Sequence, residues 1–405
     1  MRIDNEAFRA AWPQVVRGLA VTTGSLDLGE EYAAEAFSRL AAQPDGTVDD
    51  PAAWCVRVGR RAWLDDLRRQ RTWQRNRASL AVPESTEMTP DHSPGDDLDD
   101  RLALLFVACD EALPPGAQLV LAMRVVCGLS TRQIANHLGI AEATAAARLT
   151  RAKAALARAR GEFVIPSPDE RAMRLPTVLA CISALLTVGQ REVIDPLDST
   201  ADPARDALTL AEALVVEYPS HSEGIGLRAT CRLALARRPG RVRDGVALPL
   251  DQVDRAAWDA GLLEAGLDDA TRALELADRP GRFALEAAIS GVHTTAPSGE
   301  QTDWAQLALL YDELLAQWPS PAVQVARLVA IGRRDLAAGA DLSAVEGALE
   351  AFVLDGPSYA ARDASLALAD IEHRTGRTLE AAARYRELLD LIPEGPLREF
   401  CRRRT

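Results

Sequence analysis

Residues 128–160 read GLSTRQIANHLGIAEATAAARLTRAKAALARAR, and this stretch decides the fold of the region around it. Ser130 stands at a helix N-cap position with Gln133 three residues on, a reciprocal arrangement that satisfies two otherwise unpaired backbone N–H groups. Ile134, Ala135 and Leu138 line one apolar face at helical spacing, Gly139 supplies a left-handed turn, and Ile140 returns the chain to the core. In the helix beyond, Ala145, Leu149, Ala152 and Leu156 face inward, while Thr144, Arg148, Arg151 and Lys153 point outward, a set suited to a major groove. Two helices joined by a short Gly-containing turn form a helix-turn-helix. Two packed helices with a solvated basic face would share this pattern. Ser130–Arg160, however, carries five Arg and one Lys against a single acid, Glu142, in a chain of formal charge −13, and this local reversal of sign favours nucleic acid.

The 405 residues predict two or more domains at the usual ~100–200 residues each. Hydrophobic residues make up 48% and aromatics only 5%, with Ala and Leu prominent, so helices are expected in place of sheets. Lys153 is the sole lysine. Cys55, Cys109, Cys127, Cys181, Cys231 and Cys401 form no CxxC pair and read as buried thiols in a reducing compartment. The start, MRIDNEAFRAAW, lacks the basic-then-apolar order of a leader, and no stretch approaches ~18 uninterrupted apolar residues, so a cytoplasmic protein without membrane contact is expected. There is no phosphate-binding loop, and His92, His137, His221, His293 and His373 are too scattered for local metal pairs. Neither a cofactor, a metal nor an enzymatic activity is expected.

Upstream, Phe8, Ala11, Trp12, Val15, Val16 and Leu19 line one side of a helix over Asn5–Thr22. A second, Leu28–Leu40, exposes Glu30, Glu31 and Glu35 and turns Phe37 and Leu40 inward. Pro51 opens a third, PAAWCVRVGRRAWLDDLRRQRTWQRNR, with eight Arg against two acids and Trp54, Trp63 and Trp73 interleaved. Its apolar stripe is expected to run through Trp54, Val58, Ala62 and Leu67; aromatics among arginines can stack on unpaired bases while the cations track phosphates, or the tryptophans can simply be core. Ala81–Asp100, AVPESTEMTPDHSPGDDLDD, reads as a flexible acidic linker. Helices over Leu102–Ala112 and Gly116–Cys127 then lead into the opening motif.

The order of an acidic helix, WCVRVGRRAWLDDLRR, an acidic linker and LPPGAQLVLAMRVVCGLSTRQIANHLGIAEATAAARLTRAKAAL resembles a sigma factor of the extracytoplasmic-function type. The resemblance implies an alternative sigma factor with core RNA polymerase and promoter DNA as partners. It implies a region-2-like domain at 1–80, a linker at 81–100 and a region-4-like helix-turn-helix domain at 101–165. It places Asp27, Glu30, Glu31, Glu35 and Phe37 on the polymerase-binding side; Arg60, Arg61, Trp63, Asp65, Arg68 and Arg69 near the minus-ten element; and Thr131, Arg132, Thr144, Arg148, Arg151 and Lys153 near the minus-thirty-five element. Departures from the family pattern fall at Ala33, Ala34, Arg61, Ala141, Ala146 and Ala147. At Ala141 a Ser N-cap is missing.

From residue 166 to 405 the pattern becomes helices joined by short Pro or Gly breaks. DALTLAEALVVEYP, WAQLALLYDELLAQWP and EAAARYRELLDLIP end alike, with Leu214, Leu314 and Leu388 five residues before the proline and Ala211, Tyr311 and Tyr385 eight before. This resembles the second helix of a tetratricopeptide repeat. LPLDQVDRAAWD and TDWAQLALLYDELL resemble stretches of sigma factors with such a fused extension. The fold class expected is therefore all-α, two small sigma-type helical domains followed by a tetratricopeptide-like array that regulates in cis and takes a peptide or protein ligand. A plain bundle is the simpler alternative for this half. Two other functions fit the same residues: a one-component helix-turn-helix regulator with a peptide-sensing array, and a polymerase-binding scaffold with degenerate DNA reading.

Overall fold

The computed structural model describes residues 5–43, 48–77, 98–194, 201–249 and 252–405. Most of the expected acidic linker, 81–97, lies outside the described residues. The all-α expectation holds: eighteen α-helices are described, with one two-stranded hairpin. The chain divides into two compact units, one of residues 1–185 with 199–203 and one of residues 186–198 with 204–405.

The first unit begins with α1 (Asn5–Thr23), α2 (Leu26–Ala41) and α3 (Pro51–Arg77). Trp12, Val15, Val16 and Leu19 of α1 are buried as their spacing predicts. Gly29 lets α1 and α2 approach closely, since a Cβ there would lie 2.6 Å from the Ala20 nitrogen. The buried seam of α3 is Ala52, Cys55, Gly59 and Ala62, not the stripe led by Trp54 and Val58, which are only half-buried. The reason is steric. A Cβ on Gly59 would stand 2.6 Å from Leu19 Cδ1, so this seam accepts only small side chains and the tryptophan turns aside.

After α4 (Asp100–Ala108) come α5 (Pro115–Val125), α6 (Thr131–Leu138), α7 (Glu142–Arg160) and α8 (Pro168–Ile194). They join the first three helices in one core. Arg17 Nη1 donates to Leu98 O (2.7 Å) and Asp100 Oδ1 (3.0 Å), and Trp12 Nε1 donates to Arg124 O (3.2 Å). The first half of α8 is fixed to α4: Arg174 donates to Phe106 O (2.9 Å) and to Asp110 Oδ2 (2.7 Å). Asp110, 1% exposed, also accepts from Arg160 at 2.8 Å. Burial pushes its carboxyl up, but the Arg160 hydrogen bond, the Ala112 amide and the Arg174 charge outweigh that and hold it below the usual range. Pro168–Arg191 is long and apolar enough by length and composition to cross a membrane, with mean hydropathy 1.6 in its best window, because Thr and Ser interrupt the run without lowering its average much. Half of that window is buried within the protein, with Val178, Ile182 and Leu185 in its core.

The second unit holds α9 (Pro203–Glu217), α10 (Ser222–Ala236), α11 (Ala260–Glu275), α12 (Arg282–Thr295), α13 (Trp304–Gln317), α14 (Pro321–Ala337), α15 (Ser343–Asp355), α16 (Ser358–Arg374), α17 (Thr378–Leu388) and α18 (Pro396–Arg402). From α10 onward each helix packs on its successor, and the apolar interior runs along the stack as a series of clusters around Leu307, Leu349 and Tyr385. Between α10 and α11, β1 (Val242–Arg243) pairs antiparallel with β2 (Val246–Ala247), Val242 opposite Ala247. Asp244 (φ 51°) and Gly245 (φ 74°) form its turn, the positive-φ pair that a two-residue hairpin requires.

Near the C-terminal ends of α10 and α12, Arg237 donates to Thr294 Oγ1 (3.3 Å) and Ser290 O (3.4 Å), and Arg255 donates to His293 O (3.2 Å) and Thr294 O (3.4 Å). Carbonyls at a helix C-terminus carry partial negative charge and attract such cations. His293 lies among them. Burial first, then the Arg237 and Arg255 charges, pull its imidazole down to about 4. Its folded pKa lies below the unfolded one, so the protein gains from the neutral ring above pH ~6.5 and loses that stability as pH falls towards the folded value. Between pH 7 and pH 5 the loss attributable to this group is expected to be about 2 kcal/mol. Urea denaturation at both pH values checks it: the gap between them should shrink by about that amount in His293→Phe, and an unchanged gap would disprove the assignment.

Candidate nucleic-acid interface

The helix-turn-helix is built as its sequence dictates. Ser130 N donates to Gln133 Oε1 (2.9 Å) and Gln133 N donates to Ser130 Oγ (3.2 Å), closing the capping box on α6. Gly139 takes the left-handed conformation at φ 64°, and Gly139 and Ile140 return hydrogen bonds to the last carbonyls of α6. Ala145, Leu149, Ala152 and Leu156 are the buried residues of α7. Ala141 occupies the N-cap of α7 in extended conformation (φ −65°, ψ 142°) with no side-chain cap.

The expected outward face is largely assembled. Arg132, Thr144 and Arg151 are exposed, and Thr131 and Arg148 are half-buried at its edge. Arg151 Nε lies against its own helix, 3.1 Å from Ala147 O. Lys153 is different. Its side chain is only 19% exposed and its ammonium sits 2.8 Å from Asp27 Oδ1 and 2.7 Å from Glu30 Oε2 on α2. It therefore does not stand with Thr144 and Arg151 on the open face, because the carboxylates of α2 turn it away. Burial lowers the ammonium's pKa, but Glu30 and Asp27 outweigh it and hold the group above its ordinary value. Arg160, which helps make the segment basic, is likewise committed to Asp110. Of the six cations counted from the sequence, Arg132, Arg148, Arg151 and Arg158 remain outside these internal pairs.

Two expected polymerase-side residues are also placed otherwise. Glu30 is 5% exposed, not on an exposed face, and pairs with Arg124 of α5 as well as with Lys153. Phe37 is 5% exposed and packs edge-on against Phe8, its ring centroid 4.8 Å away, with Trp12 at 5.9 Å. A carboxylate buried between two cations and a ring inside a three-aromatic cluster have no surface to offer in this arrangement. Asp27 and Glu31 stay exposed, and Glu35 pairs with Arg39 at 2.6 Å.

On α3, Arg60, Arg61, Asp65, Arg68 and Arg69 are exposed and Trp63 is half-buried, so the set shares one long helix with a solvent-facing basic side. Arg68 pairs with Asp65 at 3.1 Å and Arg69 with Asp66, while Tyr32 Oη donates to Asp66 Oδ2 at 2.9 Å. Arg124 was missed in the sequence. Its signal was a lone charge within the apolar run LVLAMRVVC, where a cation survives only by finding a carboxylate.

Comparison with known proteins bears on both halves. Residues 104–156 match the family Sigma-70, region 4, and residues 174–274 match a family of unknown function, DUF6596. Uncharacterized protein R00370 of Rhizobium meliloti is 35% identical over 341 residues, 81% of this chain and 79% of that protein. The chain belongs to the family of that Rhizobium protein. A second similar protein is the probable extracytoplasmic-function RNA polymerase sigma factor SigI of Mycobacterium tuberculosis, 26% identical over 176 residues, 43% of this chain and 60% of SigI. No solved structure matches. This family member thus carries a sigma-70 region 4 domain, and the matched stretch contains the helix-turn-helix described above.

Two outcomes follow from the geometry. Ala141→Ser should add about 1 kcal/mol of stability, since the N-cap backbone is already extended and the α7 amides there lack a side-chain acceptor; equilibrium denaturation measures it. Glu30→Gln should cost about 2 kcal/mol, less than the ~3–5 kcal/mol of a fully buried broken pair because Lys153 keeps Asp27. Hydrogen exchange in that variant should rise in α2 and in the Arg124 turn together; a rise confined to α2 would contradict a shared latch.

Proposed function

We propose that the protein is an alternative sigma factor. It binds core RNA polymerase through residues 1–80, reads promoter DNA with the basic side of α3 and the open face of α6 and α7, and is tuned by the part of the chain from residue 166 onward, a tetratricopeptide-like array. The region 4 match over residues 104–156 carries this reading, and the likeness to SigI supports it. In support of the promoter contacts, Thr144 and Arg151 form an exposed polar patch with Arg148 at its edge, while Ala146 and Ala147 between them are exposed and bring no polar group to a base. Specificity in the minus-thirty-five module then rests on few side chains, and phosphate attraction by Arg132, Arg148, Arg151 and Arg158 supplies most of the affinity.

The internal pairing refines the proposal. Lys153 and Glu30, assigned by resemblance to promoter and polymerase, neutralise each other here. Engagement of polymerase by the acidic face of α2 then requires Lys153 to exchange a carboxylate partner for a phosphate or another acid, so that the closed arrangement is a resting state of the proposed factor.

The test is transcription from genomic fragments by core polymerase with the purified protein. The double variant Arg148→Ala, Arg151→Ala should lower promoter-specific output by about tenfold or more while leaving core binding intact, and its output should fall less steeply with added salt than the parent's, because fewer counterions are released on binding. Unchanged output in the double variant would favour the polymerase-binding scaffold. Tight binding of the free protein to one duplex, without polymerase, would favour the one-component regulator.

A further inference from the structure

The second unit contains a cavity of about 480 Å³, within the range of small-molecule sites. Its walls come from the β2 end, α12, α13, α14, α16, α17 and α18, with Trp304, Tyr311, Tyr385 and Phe400 as the large aromatic surfaces and Val325 and Val329 between them. Trp304 is held on two sides: the His293 ring stands edge-on at 5.6 Å and the Arg333 guanidinium lies 5.1 Å from its centroid. A wall of rigid aromatics with few polar groups suits an apolar body.

The charges decide what kind of body. Both acids that line the cavity are already matched: Asp370 lies 3.0 Å from Arg333 and 2.8 Å from Arg374, and Asp363 lies 3.0 Å from Arg362. Glu286, near Tyr311, pairs with Arg282 at 2.9 Å. The cations at the His293 side are not matched by carboxylates. Arg237 and Arg255 bond only to backbone carbonyls and the Thr294 hydroxyl, and among the described residues the Arg241 guanidinium has no ion pair or side-chain hydrogen bond. Arg255 Nη2 and Trp258 Nε1 are buried donors without an acceptor. Three guanidiniums close enough to depress one another's or His293's protonation therefore stand beside one end of the cavity, offset only by helix-end carbonyls. The Tyr311 hydroxyl, which lines the cavity, also lacks a hydrogen-bond partner among the described residues, and as a neutral phenol it donates.

We propose that this cavity binds a small organic anion, an aromatic or branched apolar body bearing one carboxylate or phosphate, with the charged end towards Tyr311 and the His293 side and the body against Tyr385, Phe400 and Val325. A cationic ligand meets no unmatched carboxylate there and faces the field of Arg237, Arg241 and Arg255. A neutral one of the same shape gains the aromatic contacts but nothing from that field. The inference deepens the proposed regulation by the C-terminal part. Its readout uses neither polymerase nor DNA, so it fails or stands separately from promoter reading.

Three probes of matched shape test it on the full chain: 3-phenylpropionate, 3-phenylpropan-1-ol and 3-phenylpropylamine, followed by ligand-observed NMR with calorimetry. The propionate should bind saturably, about tenfold tighter than the amine and tighter than the alcohol. Val329→Trp, which fills the cavity and leaves every charge in place, should abolish binding, and Tyr311→Phe, which removes only the hydroxyl, should weaken the propionate while sparing the alcohol. A far-ultraviolet spectrum and melting curve like the parent's qualify each variant, and Tyr311→Phe decides if the tryptophan variant does not fold. Equal binding of amine and propionate, no saturable binding of the propionate, or propionate binding indifferent to both substitutions would each overturn the proposal.

Discussion

Glu30 is the constraint on which the first unit turns. A carboxylate at 5% exposure is tolerated only when its charge is matched, and here the match comes from α5 and α7 at once, through Arg124 and Lys153. Arg124 is itself held from two further directions. Its guanidinium lies 5.7 Å from the Trp12 ring and donates to Leu129 O at 3.0 Å, while Trp12 Nε1 returns a bond to the Arg124 carbonyl. Gly128, at φ 66°, carries the chain past that ring, and a Cβ there would stand 3.2 Å from Trp12 Cδ1. The turn into the helix-turn-helix is thus fixed by the same indole that closes the core of α1 and α2.

The parts of this arrangement legible in the sequence are those whose causes are local. The capping box at Ser130, the left-handed Gly139, the buried face of α7 and the open N-cap at Ala141 all follow from neighbours within four residues, and each stands where spacing puts it. What periodicity could not give is which cation meets which acid. Lys153 and Asp27 are 126 positions apart, and Glu30 and Arg124 are 94 apart. A helix pattern assigns Glu30 to the polar side of α2 because it is charged, whereas the fold buries it because two cations arrive from elsewhere. Phe37 shows the opposite limit, since its apolar character correctly put it inside and only the family resemblance carried it to a binding surface. The α3 seam was read only in part, for another reason: hydrophobicity picked Ala62 correctly but also Trp54 and Val58, whereas closeness to Leu19 selects Gly59. The hairpin had a local signal, Asp244-Gly245, which an all-helical expectation passed over.

These pairings change what the basic charge of the helix-turn-helix means. A count of cations on a segment measures attraction to nucleic acid only if the cations are free to face it. Lys153 and Arg160 are bound to carboxylates of α2 and of the loop after α4, so they knit the helix-turn-helix to its neighbours instead of extending its open face. Thr144 and Arg151 are exposed, whereas Lys153 is held by its carboxylates. Under the proposed function, the closed state leaves the reading face open while it occupies the acidic face of α2. Opening therefore bears more on polymerase than on the minus-thirty-five contacts.

The second unit solves its charge problem by different means. Arg237 and Arg255 are not neutralised by acids: Arg237 donates to Leu233 O of α10 and to Ser290 O and the Thr294 hydroxyl of α12, and Arg255 donates to two carbonyls at the end of α12 and leaves its Nη2 edge unspent. A lysine could not divide its donors in this way, because its ammonium is a compact point charge that one carbonyl pair would hold more loosely. The arrangement costs the protein the protonated form of His293, which these cations and burial suppress. It also keeps positive potential beside an aromatic cavity without placing a mobile cation inside it. Under the proposed anion binding, such a site would attract its ligand through the field of its walls and recognise it through shape, at the point where the contacts of His293, Trp304, Arg333 and Asp370 join α12, α13, α14 and α16.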